Sequence, residues 1–360
     1  MCKKIDRLSV CFFIQKIGME KLKMKKCTIG GQGVMDGIMM RSVEKSALAV
    51  RKPSGEIDLK IWKNKEHTSI FYKIPIIRGV FSFIEMMVNG VSVLTESAKM
   101  VGLDEEEYEP SKMEKAIAKK TGKSAEDIMM FFAVVIALVM AVGLFFVLPT
   151  LITNLIKGSI KSSFLINLID GGIRILIFLG YMLVVSLLPD IKTVFRYHGA
   201  EHKTIFCYEN DLPLTVENVK PQKRLHPRCG TSYLLLVMVL STVIYSCFPW
   251  GNSMLLRMAI KLLLLPVIAG VSYEVLKLLA KGNHILVRAL RWPGMQLQRL
   301  TTAEPDEEMI QVAIVAFEAA LGEKSPEEIE QMRQAFAAES IMQAQQAEEP
   351  EERQDNEEQA

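Results

Sequence analysis

The chain has 360 residues, half of them apolar, enough for one large domain or two ordinary ones. Its net charge of +2 is a cancellation: Lys324 to Ala360 holds 11 acidic and 3 basic side chains, which leaves the rest basic by about +10. Such a body suits an anionic membrane surface rather than free solution. No nucleic-acid partner is expected, and six scattered cysteines exclude a secreted disulfide framework, so the thiols read as reduced and structural.

Residues 1–23 carry a seven-residue apolar run, "LSVCFFI", too short and too charged at its flanks for a secretory signal, and read as an extension from an early start codon. Residues 24–123 read as a small α+β cytoplasmic or interfacial region. In it, "GGQGVMDG" lacks the spacing of nucleotide loops and predicts a tight turn, with a phosphate or oxyanion cradle as the alternative. "SALAVRKPSGEIDLKIW" alternates on either side of Pro53-Ser54-Gly55, which predicts a β-hairpin. The stretch Ile74 to Met100 has helical spacing but is broken by Arg78, Glu85, Asn89 and Glu96, which predicts an interfacial or re-entrant helix. An acidic linker, "DEEEYEP", and a basic helix around Lys112 to Lys123 follow.

Four apolar segments then define a membrane region over 124–284: Met129–Leu148, Gly171–Leu188, Tyr233–Phe248 and Leu262–Leu279. The first has twenty residues without a charge, enough at about 1.5 Å per residue to span a hydrocarbon core of about 30 Å. The fold class expected is mainly α, a polytopic bundle of four transmembrane helices with the small α+β region before it. Lys and Arg gather in the loop 191–232 and after the fourth helix, which places both termini and that loop in the bacterial cytoplasm. Residues 285–323 read as a cytoplasmic amphipathic segment whose last helix starts at a threonine cap in "TTAEPDEEMIQ". Residues 324–360, rich in Gln, Ala and Glu, predict a disordered acidic tail.

The chemistry gathers in "FRYHGAEHKTIFCYE", which holds two of the chain's five histidines. On a helix His198 and His202 lie one turn apart and can share one divalent ion, with zinc the expected metal. Glu201 on the same turn can take a proton from a metal-bound water, the arrangement of His-x-x-Glu-His peptidases. The alternative is a polar turn with ordinary hydrogen bonds, and Gly199 inside the motif weakens the helix. The same loop returns through "RLHPRCGTSY", which brings His226 and Cys229 to the same membrane face, and Glu274 lies near the end of the fourth apolar segment on that face. All are zinc-competent ligand types. Cys229 could equally pack as a buried thiol, and Glu274 could pair with Lys277 three residues on.

With these blocks assembled, "GGQGVMDGIMMR", "IPIIRGV", "RYHGAEHKTI", "LTVENV", "RLHPRCGTSYLL", "AGVSYEVLK" and "PGMQLQRLTTAEPDEEMIQVAI", the chain resembles the YqhQ-like family of bacterial multi-pass membrane proteins from about Ile29 to Gly322. The resemblance implies a predicted metal-dependent enzyme with His198, Glu201, His202, His226, Cys229 and Glu274 as motif residues. Gly33 and Asp36 depart from the alanine and glutamate expected there. Two readings follow. One is a membrane metal-dependent hydrolase with Glu201 as base, acting on a peptide bond near the membrane or a lipid-linked ester. The other is a non-enzymatic scaffold in which a closed Cys-His₃ zinc site staples the loop and the soluble part docks a cytoplasmic protein partner. A transporter is disfavoured by the lack of an internal repeat.

Overall fold

In the computed structural model, residues 29–66, 69–102, 117, 122, 125–251, 253–282 and 284–358 are described. The expected N-terminal extension, acidic linker and most of the basic helix before the first long apolar segment lie outside them.

The glycine-rich start is a strand rather than a turn alone. Strands β1 (Gly30–Val34), β2 (Gly37–Arg41), β3 (Lys45–Arg51) and β4 (Ile57–Lys63) form an antiparallel meander in the order β1-β2-β3-β4. The expected hairpin is β3–β4. A second one turns at Met35-Asp36, where Asp36 takes φ 45° and Gly37 meets Val50 across the sheet. Both faces of the sheet are covered, so β2 and β3 read as unbroken apolar runs instead of alternating ones. Ile38, Met40, Ala47 and Ala49 face one core, and Val34, Met39, Leu48 and Val50 face another.

Helix α1 (Ile77–Val101) supplies the second core through Val93, with Met100 and Val101 packed beside it. Its first turns lie elsewhere: a Cβ on Gly79 would stand 2.8 Å from the Cα of Gly270, so two helices cross there at glycine distance. Helices α2 (Ala125–Val142) and α3 (Leu148–Ile156) run on through a π-helical turn at Gly143–Val147. Helix α4 (Ser163–Val185) and helix α5 (Pro189–Glu209) follow, then a short α6 (Val216–Val219), α7 (Thr231–Ser246), α8 (Met254–Lys281) and α9 (Ile285–Thr301).

Among the described residues four helices are long and apolar enough to cross a membrane: Ile77–Val101, Ile128–Ile156, Ser163–Val185 and Met254–Leu279. The number matches the expectation, but the membership differs. Helix α1 replaces the expected third span, because α7 has only 16 residues, about 24 Å of helix against about 30 Å of hydrocarbon. Helix α7 nevertheless lies along its neighbours: Tyr233 donates to the Ala269 carbonyl near one end, and Asn167 donates to the Phe248 carbonyl just past the other.

Helix α10 (Glu307–Leu321) is buried on every side from Met309 to Ala320, between the sheet, α5 and helix α11 (Pro326–Glu358). It is therefore a core helix and not an amphipathic surface one. Its polar members are matched, Gln311 accepting from Arg51 at 2.8 Å and Glu318 facing Lys324 at 3.2 Å. Its cap is Asp306, which accepts from the Met309 N–H at 2.8 Å, rather than a threonine.

The acidic tail, expected to be disordered, is helical. Ile329, Met332 and Phe336 recur at three and four residues and seat α11 on the core, and Arg333 donates to the Ile57 carbonyl at 2.7 Å. That narrow stripe is diluted in composition by the charges around it.

Candidate metal centre

Residues 189–209 form one helix despite Gly199, because the neighbouring backbone needs the space. A Cβ at Gly199 would stand 2.0 Å from the Ala303 carbonyl oxygen. The strap after α9 lies against α5 there and is tied to it. Ala303 N–H donates to the Phe195 carbonyl at 2.8 Å, and Arg196 reaches the Glu304 carbonyl at 3.2 Å and Asp306 at 2.8 Å. Lys203, buried, pairs with Glu304.

The strap fixes the first histidine. His198 Nδ1 lies 2.8 Å from the Thr301 carbonyl, which can only accept, so Nδ1 carries the proton and Nε2 keeps its lone pair. His202, 1% exposed, is fixed in the same way by the Arg224 carbonyl. Its Nε2 is buried and has no protein partner. Arg224 is itself held by the Thr302 carbonyl at 2.7 Å. The two imidazoles meet edge to face with centroids 4.5 Å apart. Cys229 Sγ completes the group, 3.2 Å from His198 Nε2, and one ligand atom from each of the three residues lies within 4.8 Å of the others.

Glu201 lines the same cavity from the same helix and is 5% exposed. Its Oε1 accepts from the Gly31 N–H at 2.8 Å, while its Oε2 is buried without a partner. Strand β1 comes this close only because of its glycines: a Cβ on Gly33 would lie 2.5 Å from the Val194 carbonyl and 2.9 Å from the His198 amide. The cavity has a volume of about 570 Å³ and lies between β1, α1, α5 and the 226–231 loop.

Two other expected residues are engaged elsewhere. His226 stands 5.6 Å from His202, ring to ring, outside the three-residue group. Its Nε2 faces Glu209 at 3.4 Å and its Nδ1 accepts from the Arg228 N–H at 3.4 Å, so both ring nitrogens have protein partners. Burial pushes its pKa down to about 4, which keeps the ring neutral, against a smaller upward pull from Glu201. Glu274 forms a two-pronged pair with Arg78 of α1, at 2.6 and 2.5 Å, rather than joining the histidines or pairing with Lys277. The residues that sequence reading left out act through main-chain groups: the carbonyls of Thr301 and Arg224 and the amide of Gly31. Gln298 is a further one, holding the 226–232 loop through both main-chain groups of His226 at 2.8 Å and through Ser232 at 3.2 Å.

The family model described as "Protein of unknown function (DUF1385)" matches residues 74–323, and the chain belongs to that family. Over 291 residues it is 35% identical to the protein named "Uncharacterized protein YqhQ" of Bacillus subtilis (strain 168), covering 80% of this chain and 90% of that relative. No solved structure matches.

Proposed function

We propose that this member of the DUF1385 family is a metal-dependent hydrolase of the bacterial cytoplasmic membrane. Zinc would be held by His198 Nε2, His202 Nε2 and Cys229 Sγ, with Glu201 as general base. The observation that carries this is convergence: two imidazoles held at Nδ1 by carbonyl acceptors stand with one thiol inside 4.8 Å, beside a carboxylate oxygen without a partner. Carbonyl-oriented histidines are the usual outer support of a metal ligand. Three protein ligands leave one position for water, as catalytic zinc requires.

A zinc ion held by these three residues would supply the activation of a water at neutral pH. The Gly31 N–H holds one oxygen of Glu201 and leaves the other to take a proton from that water. The closed Cys-His₃ scaffold reading requires His226 to leave Glu209 and Arg228, and that counts against it. The Lys and Arg excess on the 191–232 loop and after α8 supports a cytoplasmic site with both termini on that side.

The test is metal analysis of the detergent-purified full chain. His198→Ala, His202→Ala and Cys229→Ser should each release the ion. Glu201→Gln should retain it and, once a turnover assay exists, lose roughly 10²–10⁴-fold in rate. Wild-type protein with substoichiometric metal, unchanged by either histidine substitution, would reduce the motif to hydrogen bonding.

A further inference from the structure

The cavity above the metal centre has a mouth of distinct composition. Six of its lining residues are exposed: Gly30, Met86, Met87, Arg228, Gly230 and Leu234. Three are large and apolar, and Arg228 carries the only charge among them. Met86 and Met87 belong to α1, which is long and apolar enough to cross a membrane, and Leu234 belongs to the apolar α7.

The mouth also falls at a change of surroundings along α1. On the N-terminal side, Gly79 crosses α8, Arg78 pairs with Glu274, and Phe83 meets the Tyr233 ring at 6.0 Å. Immediately beyond, Glu85 pairs with Arg41 of β2 at 2.8 Å and Val93 enters the core beneath the sheet. Met86 and Met87 therefore sit where the apolar bundle meets the sheet region. Outward from them α1 stays apolar and exposed at Ile84, Val88 and Val91, and α7 does the same at Val239 and Val243. Exposed apolar residues of α1 thus lead up to the mouth at Met86 and Met87. An interior path open to water alone would not need them.

Inside the mouth α5 lines the cavity with Val194, Phe195 and Ile205 and, between them along the helix, His198, Glu201 and His202. Apolar walls with a few converging polar groups are the ordinary make-up of a site for an amphiphilic ligand, and about 570 Å³ is in the usual range for one.

From this geometry we infer that the substrate is a membrane amphiphile, a lipid or lipid-linked molecule, entering between α1 and α7 with its acyl ester or amide at the metal centre. The inference rests on the hydrolase reading of the same site. Water supplies the hydroxyl that bonds to the acyl carbon, the acyl–oxygen or acyl–nitrogen bond breaks, and the proton taken by Glu201 passes to the departing oxygen or nitrogen.

The test uses the full chain in nanodiscs of phosphatidylethanolamine and phosphatidylglycerol doped with a phosphatidylcholine that carries a diazirine close to its acyl ester. After irradiation, adducts are mapped by mass spectrometry and zinc is measured in the same preparation. Adducts on Ile205 are expected, since it lines the cavity at 3% exposure and bulk lipid cannot reach it. Gly90 lines the cavity and a Cβ there would meet only the Gln32 side-chain oxygen, at 3.7 Å, so Gly90→Phe is the variant chosen to narrow the passage, with a thermal melt to check its fold. The variant should abolish the Ile205 adducts while leaving those on Val88 and Val91 and the zinc content unchanged.

Wild-type adducts confined to outward residues such as Val88 and Val91 would overturn the inference, with zinc present leaving the metal centre standing. Labelling of Ile205 by a water-soluble diazirine peptide in place of the lipid would overturn it too and assign the site to peptides. Lipid adducts on Ile205 in a protein that binds no zinc would keep the amphiphile and remove the metal.

Discussion

Gly199→Ala puts a methyl group where the structure has none to spare. The new Cβ would stand 2.0 Å from the Ala303 carbonyl oxygen, and real Cβ contacts do not fall below 3.0 Å. One partner must therefore yield by about 1 Å, a figure set by the ordinary contact limit of close-packed interiors. Helix α5 is packed on β1 and α10, so the strap is the part that moves. A retreat of that size takes the Ala303 N–H to Phe195 bond from 2.8 Å beyond bonding distance, and the His198 to Thr301 bond, also 2.8 Å, moves with it. Alanine gains about 1 kcal/mol over glycine in a helix interior. Against that stand about 1–3 kcal/mol of overpacking and about 1 kcal/mol for each bond lost. With two bonds lost, the net expectation is about 3 kcal/mol of destabilisation. If His198 is a zinc ligand as proposed, the larger effect should be on metal affinity, because losing the group that orients a ligand histidine typically costs about 10–100-fold. Competition of the purified protein against a chromophoric zinc chelator measures that affinity, and a thermal melt in the same detergent measures stability. Gly180→Ala in α4 is the control, since a Cβ there meets nothing within 4 Å. If Gly199→Ala matched Gly180→Ala in both assays, the strap would not be what orients His198.

Two further outcomes are expected. Asp170 lies buried where Arg174 and Lys261 each donate to it at 2.7 Å and Thr150 at 2.9 Å, so Asp170→Ala strands two cations; breaking such a buried pair costs about 3–5 kcal/mol, and a melting temperature unchanged in detergent would show that the cations are neutralised in another way. His226 is held down to about 4 by burial, against an ordinary value near 6.5, so the unfolded chain protonates it first: stability is full above about pH 6.5 and falls towards pH 4, by about 3 kcal/mol for this group. Denaturation of metal-free protein across that range should show the fall, and His226→Gln should flatten it; an identical slope in the variant would assign the pH dependence to other groups.

The parts of the fold legible in the sequence were those with a single exposed face or a single long apolar run. The β3–β4 hairpin showed itself because β4 begins with alternation: Ile57 and Leu59 pack on the core, while Asp58 and Lys60 are the polar residues between and after them. Strand β2 did not, because both its faces are covered, Ile38 and Met40 by one core and Met39 by the other, and so short an apolar run fits strand or helix equally. Helix α10 was legible as a helix but not as the centre of the core. Gln311 and Glu318 mimic a solvent face, although Gln311 is matched by Arg51, 260 positions upstream, and Glu318 by Lys324 just past the helix. The tail failed the other way: three apolar residues on one stripe are enough to dock α11, yet the segment's composition is that of a disordered one.

The same division runs through the site. Spacing alone put His198, Glu201 and His202 on one helical face, since i, i+3 and i+4 are neighbours on any helix. Residue type alone then nominated His226 and Glu274, but type cannot say whether a ligand is already occupied. Glu274 is taken by Arg78, 196 positions upstream, and His226 by Glu209 and an amide. The groups that decide the chemistry are hidden for a deeper reason. The Thr301 and Arg224 carbonyls set both imidazole tautomers, and the Gly31 amide holds the carboxylate. Every residue offers the same carbonyl and, proline apart, the same amide, so nothing in a side chain marks which of them will be used. What the sequence does carry is the mark of close approach. Gly31, Gly33 and Gly199 stand where a Cβ would meet main-chain oxygen at 2.0–2.5 Å. A glycine inside an otherwise sound helix, as at Gly199, is better read as a place where another segment of backbone arrives than as a weakness of the motif that contains it.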